Sequence, residues 1–261
     1  MGRFALNMRF VVEQLFRVTA PGCNVCIHIQ QLLAYKIQHG FMGRRDFRGA
    51  MIDVFGAGGF NFAGEFAIQK NPQKMAQRLN LHSLQFKTGY ARSGNNLAPC
   101  PNDYVLIFHK PGDCEHPVRP IKHKSNPRGW VTQEEWIRDA HGIWTDILEI
   151  DVLDGPRSAK EEKQEKQEKH VCPLQLGVIH RLVSLYSNPV SIQPDVKVLD
   201  PFMGIGSVAH VCLGAPSPVT KVALTEPRNV IGFELKESYH RIATEKVEKA
   251  MRLQVSQSLF G

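Results

Sequence analysis

The run Val198-Leu199-Asp200-Pro201-Phe202-Met203-Gly204-Ile205-Gly206-Ser207 constrains this chain more than any other feature. A short apolar strand, Val196 to Leu199, is followed by an acid, a Gly-x-Gly turn and the start of a helix. Glycines are needed there because the backbone must turn tightly and let a ligand approach without a Cβ in the way. Glu234 follows Gly206 by 28 residues, at the end of the next apolar strand, Val230 to Phe233. An acid in that position can accept both hydroxyls of a ribose, so the spacing suits an adenosine-containing ligand. The third glycine of a dinucleotide fingerprint is replaced by Ala209 and there is no P-loop; the plain alternative is a tight strand-to-helix turn.

Elsewhere, helical and strand patterns alternate. Met8 to Val18 has helical apolar spacing and is closed by Pro21-Gly22, and Cys23 to Ile29 then reads as a buried strand. Asp46 to Phe55 is expected to be a helix ended by glycines, Phe62 to Ile68 a strand, and Asp103 to His109 a strand apolar enough to lie inside a sheet. After a run without apolar residues, Lys160 to Lys169, helical periodicity returns over Leu174 to Tyr186 and over Leu235 to Leu253. Such alternation predicts an α/β sheet covered on both faces.

Charge divides the chain. Residues 1–128 hold 17 basic and 7 acidic side chains, a net +10, and residues 129–261 hold 15 and 18, a net −3. The first half is therefore expected to meet a polyanion. Residues 70–102 contain Lys70, Lys74, Arg78, Lys87 and Arg92 and no acid, and are expected to be inserted loops that contact nucleic acid, with a solvated loop as the alternative. A hydrophobic fraction of 43% argues against wholesale disorder, and no apolar run is long enough for a membrane span. The chain shows no secretory signal, and its six cysteines are too few for a disulfide scaffold, so a cytoplasmic location with reduced thiols is expected. Cys23 and Cys26 form a lone C-x-x-C inside a predicted strand, and no metal site is expected.

A family resemblance gives these segments a common meaning. Lys169 to Leu176, Leu185-Tyr186-Ser187-Asn188-Pro189, Val198 to Ser207 and Gly232-Phe233-Glu234-Leu235-Lys236-Glu237-Ser238-Tyr239 closely resemble the C-terminal half of S-adenosylmethionine-dependent DNA methyltransferases. The resemblance is to the permuted N6-adenine or N4-cytosine class, in a branch common in phages and prophages. It extends upstream through Leu15 to Gly22, Gly43 to Gly49 and Ile143 to Ile147. It implies a single methyltransferase domain over residues 1–261 with a Rossmann-like, circularly permuted sheet. Residues 1–128 would form the basic half, 158–169 a charged linker and 170–261 the cofactor half. By resemblance Asp200, Pro201, Phe202, Gly204, Gly206 and Ser207 would surround the methionine moiety, Glu234 would hold the ribose, and His170 and Pro173 would close the pocket. Duplex DNA is the implied partner, its target base flipped out to expose an exocyclic amine, as in restriction-modification methylation.

The same resemblance exposes a gap. The family orients the target amine with Asp, Asn or Ser followed by Pro-Pro and an aromatic residue, and no Pro-Pro occurs in these 261 residues. Asp200-Pro201-Phe202 already belongs to the cofactor loop, so no catalytic residue is assigned. The family places that motif ahead of the first helix, after a central strand. The expectation is therefore a chain that starts late, lacks a central strand at its N-terminus, binds the cofactor weakly and does not methylate DNA alone. Two other readings stand beside it: a non-catalytic DNA-binding or partner subunit whose sheet is completed by a second polypeptide, and a methyltransferase of RNA or protein amides.

Overall fold

The computed structural model describes residues 3–41, 43–79, 99–153 and 174–260. They form two compact units, one of residues 1–115 with 141–146, the other of 116–140 with 147–261. Counted by unit, the charges are 13 basic less 8 acidic, a net +5, in the first, and 19 less 17, a net +2, in the second. The charge asymmetry seen along the sequence is thus milder between these two units.

In the first unit helix α1 (Arg3–Val18) precedes strand β1 (Asn24–Gln30). A small arm follows, made of β2 (Leu32–Ala34), one helical turn α2 (Lys36–His39) and β3 (Gly43–Arg45). Helix α3 (Phe47–Ala57) begins at Asp46, whose carboxylate accepts the Gly49 N–H as an N-cap. Strand β4 (Asn61–Ile68), helix α4 (Pro72–Leu79) and strand β5 (Asp103–His109) come next, and β6 (Ile143–Trp144) completes the unit. The four-stranded sheet runs β1-β5-β4-β6, antiparallel except for the parallel β4–β6 pair.

Strand β5 is central, and its uninterrupted apolar run is explained by burial on both faces. Leu106 and Phe108 join Val12, Ile29, Met51, Phe55 and Phe60 in one core, where the Phe55 and Phe108 rings stack with centroids 4.2 Å apart. Val105 and Ile107 point the other way, as the two-residue period of a strand requires, and Phe66 opposite Val105 stacks on Trp144 at 4.5 Å.

The second unit contains helix α5 (Gln133–Asp139), opened by a Thr132–Glu135 capping box, and helix α6 (Leu176–Tyr186). Strand β7 (Lys197–Asp200), the six-residue helix α7 (Ser207–Cys212), strand β8 (Asn229–Gly232) and the long helix α8 (Glu237–Phe260) follow. Strands β7 and β8 form a parallel pair, joined through α7. Val198 and Val230 pack one face of that pair against Leu176, Ile179, Val183 and Val211, while Leu199 and Ile231 on the alternate face remain exposed. The fold is α/β with a mixed sheet, as expected, but the strand carrying the Gly-x-Gly turn sits in a two-stranded ribbon. Among the described residues no helix is long and apolar enough to cross a membrane.

Candidate functional site

The predicted cofactor positions from Asp200 to Ser207 lie in one tight turn of backbone. Asp200 ends β7, and its carboxylate accepts the Phe202 N–H at 3.1 Å, which folds Pro201 and Phe202 back over the strand end. The Met203 N–H donates to the Phe233 carbonyl and the Phe233 N–H to the Asp200 carbonyl, both at 2.9 Å, so the loops after β7 and β8 are laced together. Met203 lies across Gly232, whose absent Cβ would stand 2.1 Å from the Met203 sulfur. Ser207 is buried at the start of α7.

Glu234 is held by the same lacing. One carboxylate oxygen accepts the Gly204 N–H at 2.9 Å and the other accepts the Lys236 N–H at 2.8 Å. An ionised carboxylate offers about four lone-pair directions, so two remain for hydroxyl donors. Burial pushes the Asp200 carboxyl above the ordinary aspartate value, the Phe202 N–H opposes that, and the nearby charge of Glu234 adds to it. Two acids at adjacent strand ends therefore make a concentrated negative site, suited to a ligand carrying hydroxyls and positive charge.

The two glycines do different things. Both are left-handed, Gly204 at φ +54° and Gly206 at φ +88°. A Cβ on Gly206 would stand 3.3 Å from Cβ and 3.4 Å from Cα of the buried Ala243, so this glycine lets α8 pack on the loop. A Cβ on Gly204 would meet nothing within 4 Å. The open position is beside the backbone N–H that anchors Glu234, which is where a ligand can approach. Phe202 (70% exposed) and Phe233 (59%) expose apolar rings at the same end of the ribbon.

Predicted residues outside this loop fare differently. His170 and Pro173, the linker 158–169, Lys87 and Arg92 lie outside the described residues. Lys74 is exposed on α4 and Arg78 belongs to the same helix. Lys70 must be corrected. Its ammonium is buried and lies 3.0 Å from the Asp103 carboxylate, which also receives His28 at 3.1 Å and the Gln30 amide at 2.7 Å. A lysine so paired cannot meet a phosphate without leaving a buried acid unsatisfied. The stretch after Lys70 is not all loop either, since the Asn71 side chain accepts the Gln73 and Lys74 N–H groups and starts α4. Asn-Pro at 71–72 was the available signal, because Pro suits the first helical position. Residues that the sequence reading passed over include Gln31, which ties the arm to α3, and Lys236, whose ammonium lies 4.2 Å from the Tyr239 ring centre.

Comparison with known proteins agrees with this architecture. A sequence model described as DNA methylase, covering N6 and N4 methylases, matches residues 3–245. Among solved structures, a putative DNA modification methylase of Thermus thermophilus complexed with S-adenosyl-L-methionine is similar, with a TM-score of 0.63 and 18% identity over 95% of this chain and 78% of that one. Another structure of the same Thermus protein gives a TM-score of 0.62 and 17% identity over 95% and 77%. No curated protein sequence matches. With the family match spanning both units and the loop geometry in place, this chain belongs to the N6/N4 DNA methylase family.

Proposed function

We propose that this chain is an S-adenosylmethionine-dependent DNA methyltransferase scaffold of the permuted, phage-like branch, directed at adenine N6 or cytosine N4. The observation that carries the reading is the pairing of Glu234, fixed by the Gly204 and Lys236 N–H groups, with an open position at Gly204. S-adenosylmethionine is the cofactor, as in the Thermus complex, and the residues present fit it. Glu234 accepts the ribose hydroxyls, Asp200 faces the cationic methionine end, and Gly204 and Gly206 let the backbone pass close to it. When bound, the cofactor supplies a methyl group on a positively charged sulfur. The acids hold that cation, and the tight turn excludes side chains from its path.

The reading includes inactivity of this chain alone in methyl transfer. No Pro-Pro sequence exists in the 261 residues to orient an exocyclic amine. Among the described residues β7 and β8 pair only with each other, so each keeps one edge without a strand partner. A parallel strand that carries a nucleotide loop is ordinarily flanked on both sides, so these free edges support a further strand beside the β7–β8 ribbon, from a second polypeptide carrying the amine-orienting motif. The test is methyl transfer from radiolabelled S-adenosylmethionine to duplex DNA. Cofactor binding without transfer is expected of the purified chain. Transfer that Glu234→Ala abolishes would overturn the inactivity, and absence of any cofactor binding would overturn the scaffold itself.

A further inference from the structure

The arm formed by β2, α2 and β3 is not part of the cofactor loop, and its composition is one-sided. No acid occurs between Glu13 and Asp46, and the arm carries Lys36, Arg44 and Arg45. Its strands pair Leu32 with Arg45, Leu33 with Arg44 and Ala34 with Gly43. Its root is fixed: the Gln31 side-chain oxygen accepts the Phe47 N–H at 2.7 Å and the Arg48 N–H at 3.2 Å, and its amide donates to Asp46 at 3.0 Å. Arg44 donates to the Pro99 carbonyl. The tip is apolar and open. Ile37 is 99% exposed, and Tyr35 and Phe41 are each 51% exposed.

A rigidly rooted arm that holds large apolar side chains in solvent marks a binding surface. The lack of any acid within the arm selects an anionic partner by charge complementarity. A membrane-surface element would need a longer amphipathic helix than the single turn Lys36–His39. Duplex DNA satisfies both requirements, because phosphates flank an apolar base stack.

We infer that this arm enters a DNA groove, with Lys36 and Arg45 on phosphates and Ile37, backed by Tyr35 and Phe41, wedged against the base stack. The inference rests on the DNA-methyltransferase reading above and names the element that disturbs the duplex. A wedge of this kind offsets the unstacking that accompanies extrusion of a base.

The experiment uses the full chain and a duplex containing 2-aminopurine, followed by anisotropy and by base fluorescence across a salt series. Replacing Lys36 and Arg45 by Ala is expected to reduce the slope of log affinity against log salt by about 2. Replacing Ile37 and Phe41 by Ala is expected to remove most of the fluorescence gain while S-adenosylmethionine affinity stays unchanged, which also shows that the variant is folded. Unchanged slope and unchanged fluorescence in a chain that binds duplex would overturn the arm assignment alone. A chain that binds no duplex would overturn the DNA reading with it. Variants that alter only self-association in sedimentation, or only binding to phosphatidylserine vesicles, would also overturn the assignment.

Discussion

Alanine at Gly204 and alanine at Gly206 should separate binding from folding, although the two positions are two residues apart. Both are left-handed, and forcing an L-residue into that region costs about 1–2 kcal/mol. At Gly206 the new methyl adds close contact with Ala243, 3.3 Å from its Cβ and 3.4 Å from its Cα, where helix backbone must retreat. Overpacking of that kind adds about 1 kcal/mol, so Gly206→Ala should lose roughly 2–3 kcal/mol in urea denaturation. At Gly204 no atom lies within 4 Å of the added Cβ, and the loss of stability should be the conformational cost of about 1 kcal/mol alone. Its methyl would instead project into the space assigned to the cofactor. Isothermal titration with S-adenosylmethionine should therefore show Gly204→Ala weakened more than tenfold, equivalent to ~1.4 kcal/mol or more. Wild-type affinity in Gly204→Ala would refute the assignment of that space. Equal destabilisation by the two variants would refute the packing argument for Gly206.

Lys70→Met should cost about 3 kcal/mol, because it leaves the buried Asp103 carboxylate without its cation, whereas Lys74→Ala on the exposed face of α4 should change stability by no more than about 0.5 kcal/mol. For Asp103 burial alone would raise the pKa, but the His28 hydrogen bond and charge and the Lys70 ion pair outweigh it and hold the group below the ordinary aspartate value. A depressed native pKa stabilises above the unfolded value and is lost as pH falls through the native one, so Asp103→Asn should flatten the acid limb of a denaturation profile. Asp200 titrates above the ordinary aspartate value, so the affinity for cationic S-adenosylmethionine should rise with pH through that range. Asp200→Asn should remove this dependence in titrations at a series of pH values, and a dependence that survives would exclude Asp200 as its source.

Much of the architecture was legible because burial imposes a period. Asp103–His109 has the bounds expected from its apolar run, and Phe62 to Ile68 falls within the observed Asn61–Ile68. The turn proposed for the cofactor was legible as a turn because left-handed turns need glycine, with Asp200 ending β7 and Glu234 two residues beyond the parallel β8. What escaped is what local sequence does not encode. The arm at residues 31–45 has no apolar period, because Leu32, Tyr35, Ile37 and Phe41 are exposed, and its root depends on one glutamine reaching α3. Lys70 looked like one more cation in an acid-free run, and only the register that brings Asp103 opposite Ile68 shows it to be a buried partner. The Thr132–Glu135 capping box opens a helix of seven residues, too short to leave a periodic signal.

Glu234 bears most directly on the central claim. Removing its carboxylate deletes the acceptor proposed for the ribose hydroxyls, and hydrogen bonds to a charged group contribute about 1.5–3 kcal/mol each. Titration of the purified chain with S-adenosylmethionine should give one site, and Glu234→Ala, titrated under conditions where its circular dichroism matches the wild type, should weaken it by about 2–3 kcal/mol, at least ~30-fold. A Glu234→Ala chain that binds S-adenosylmethionine as tightly as the wild type would contradict the account.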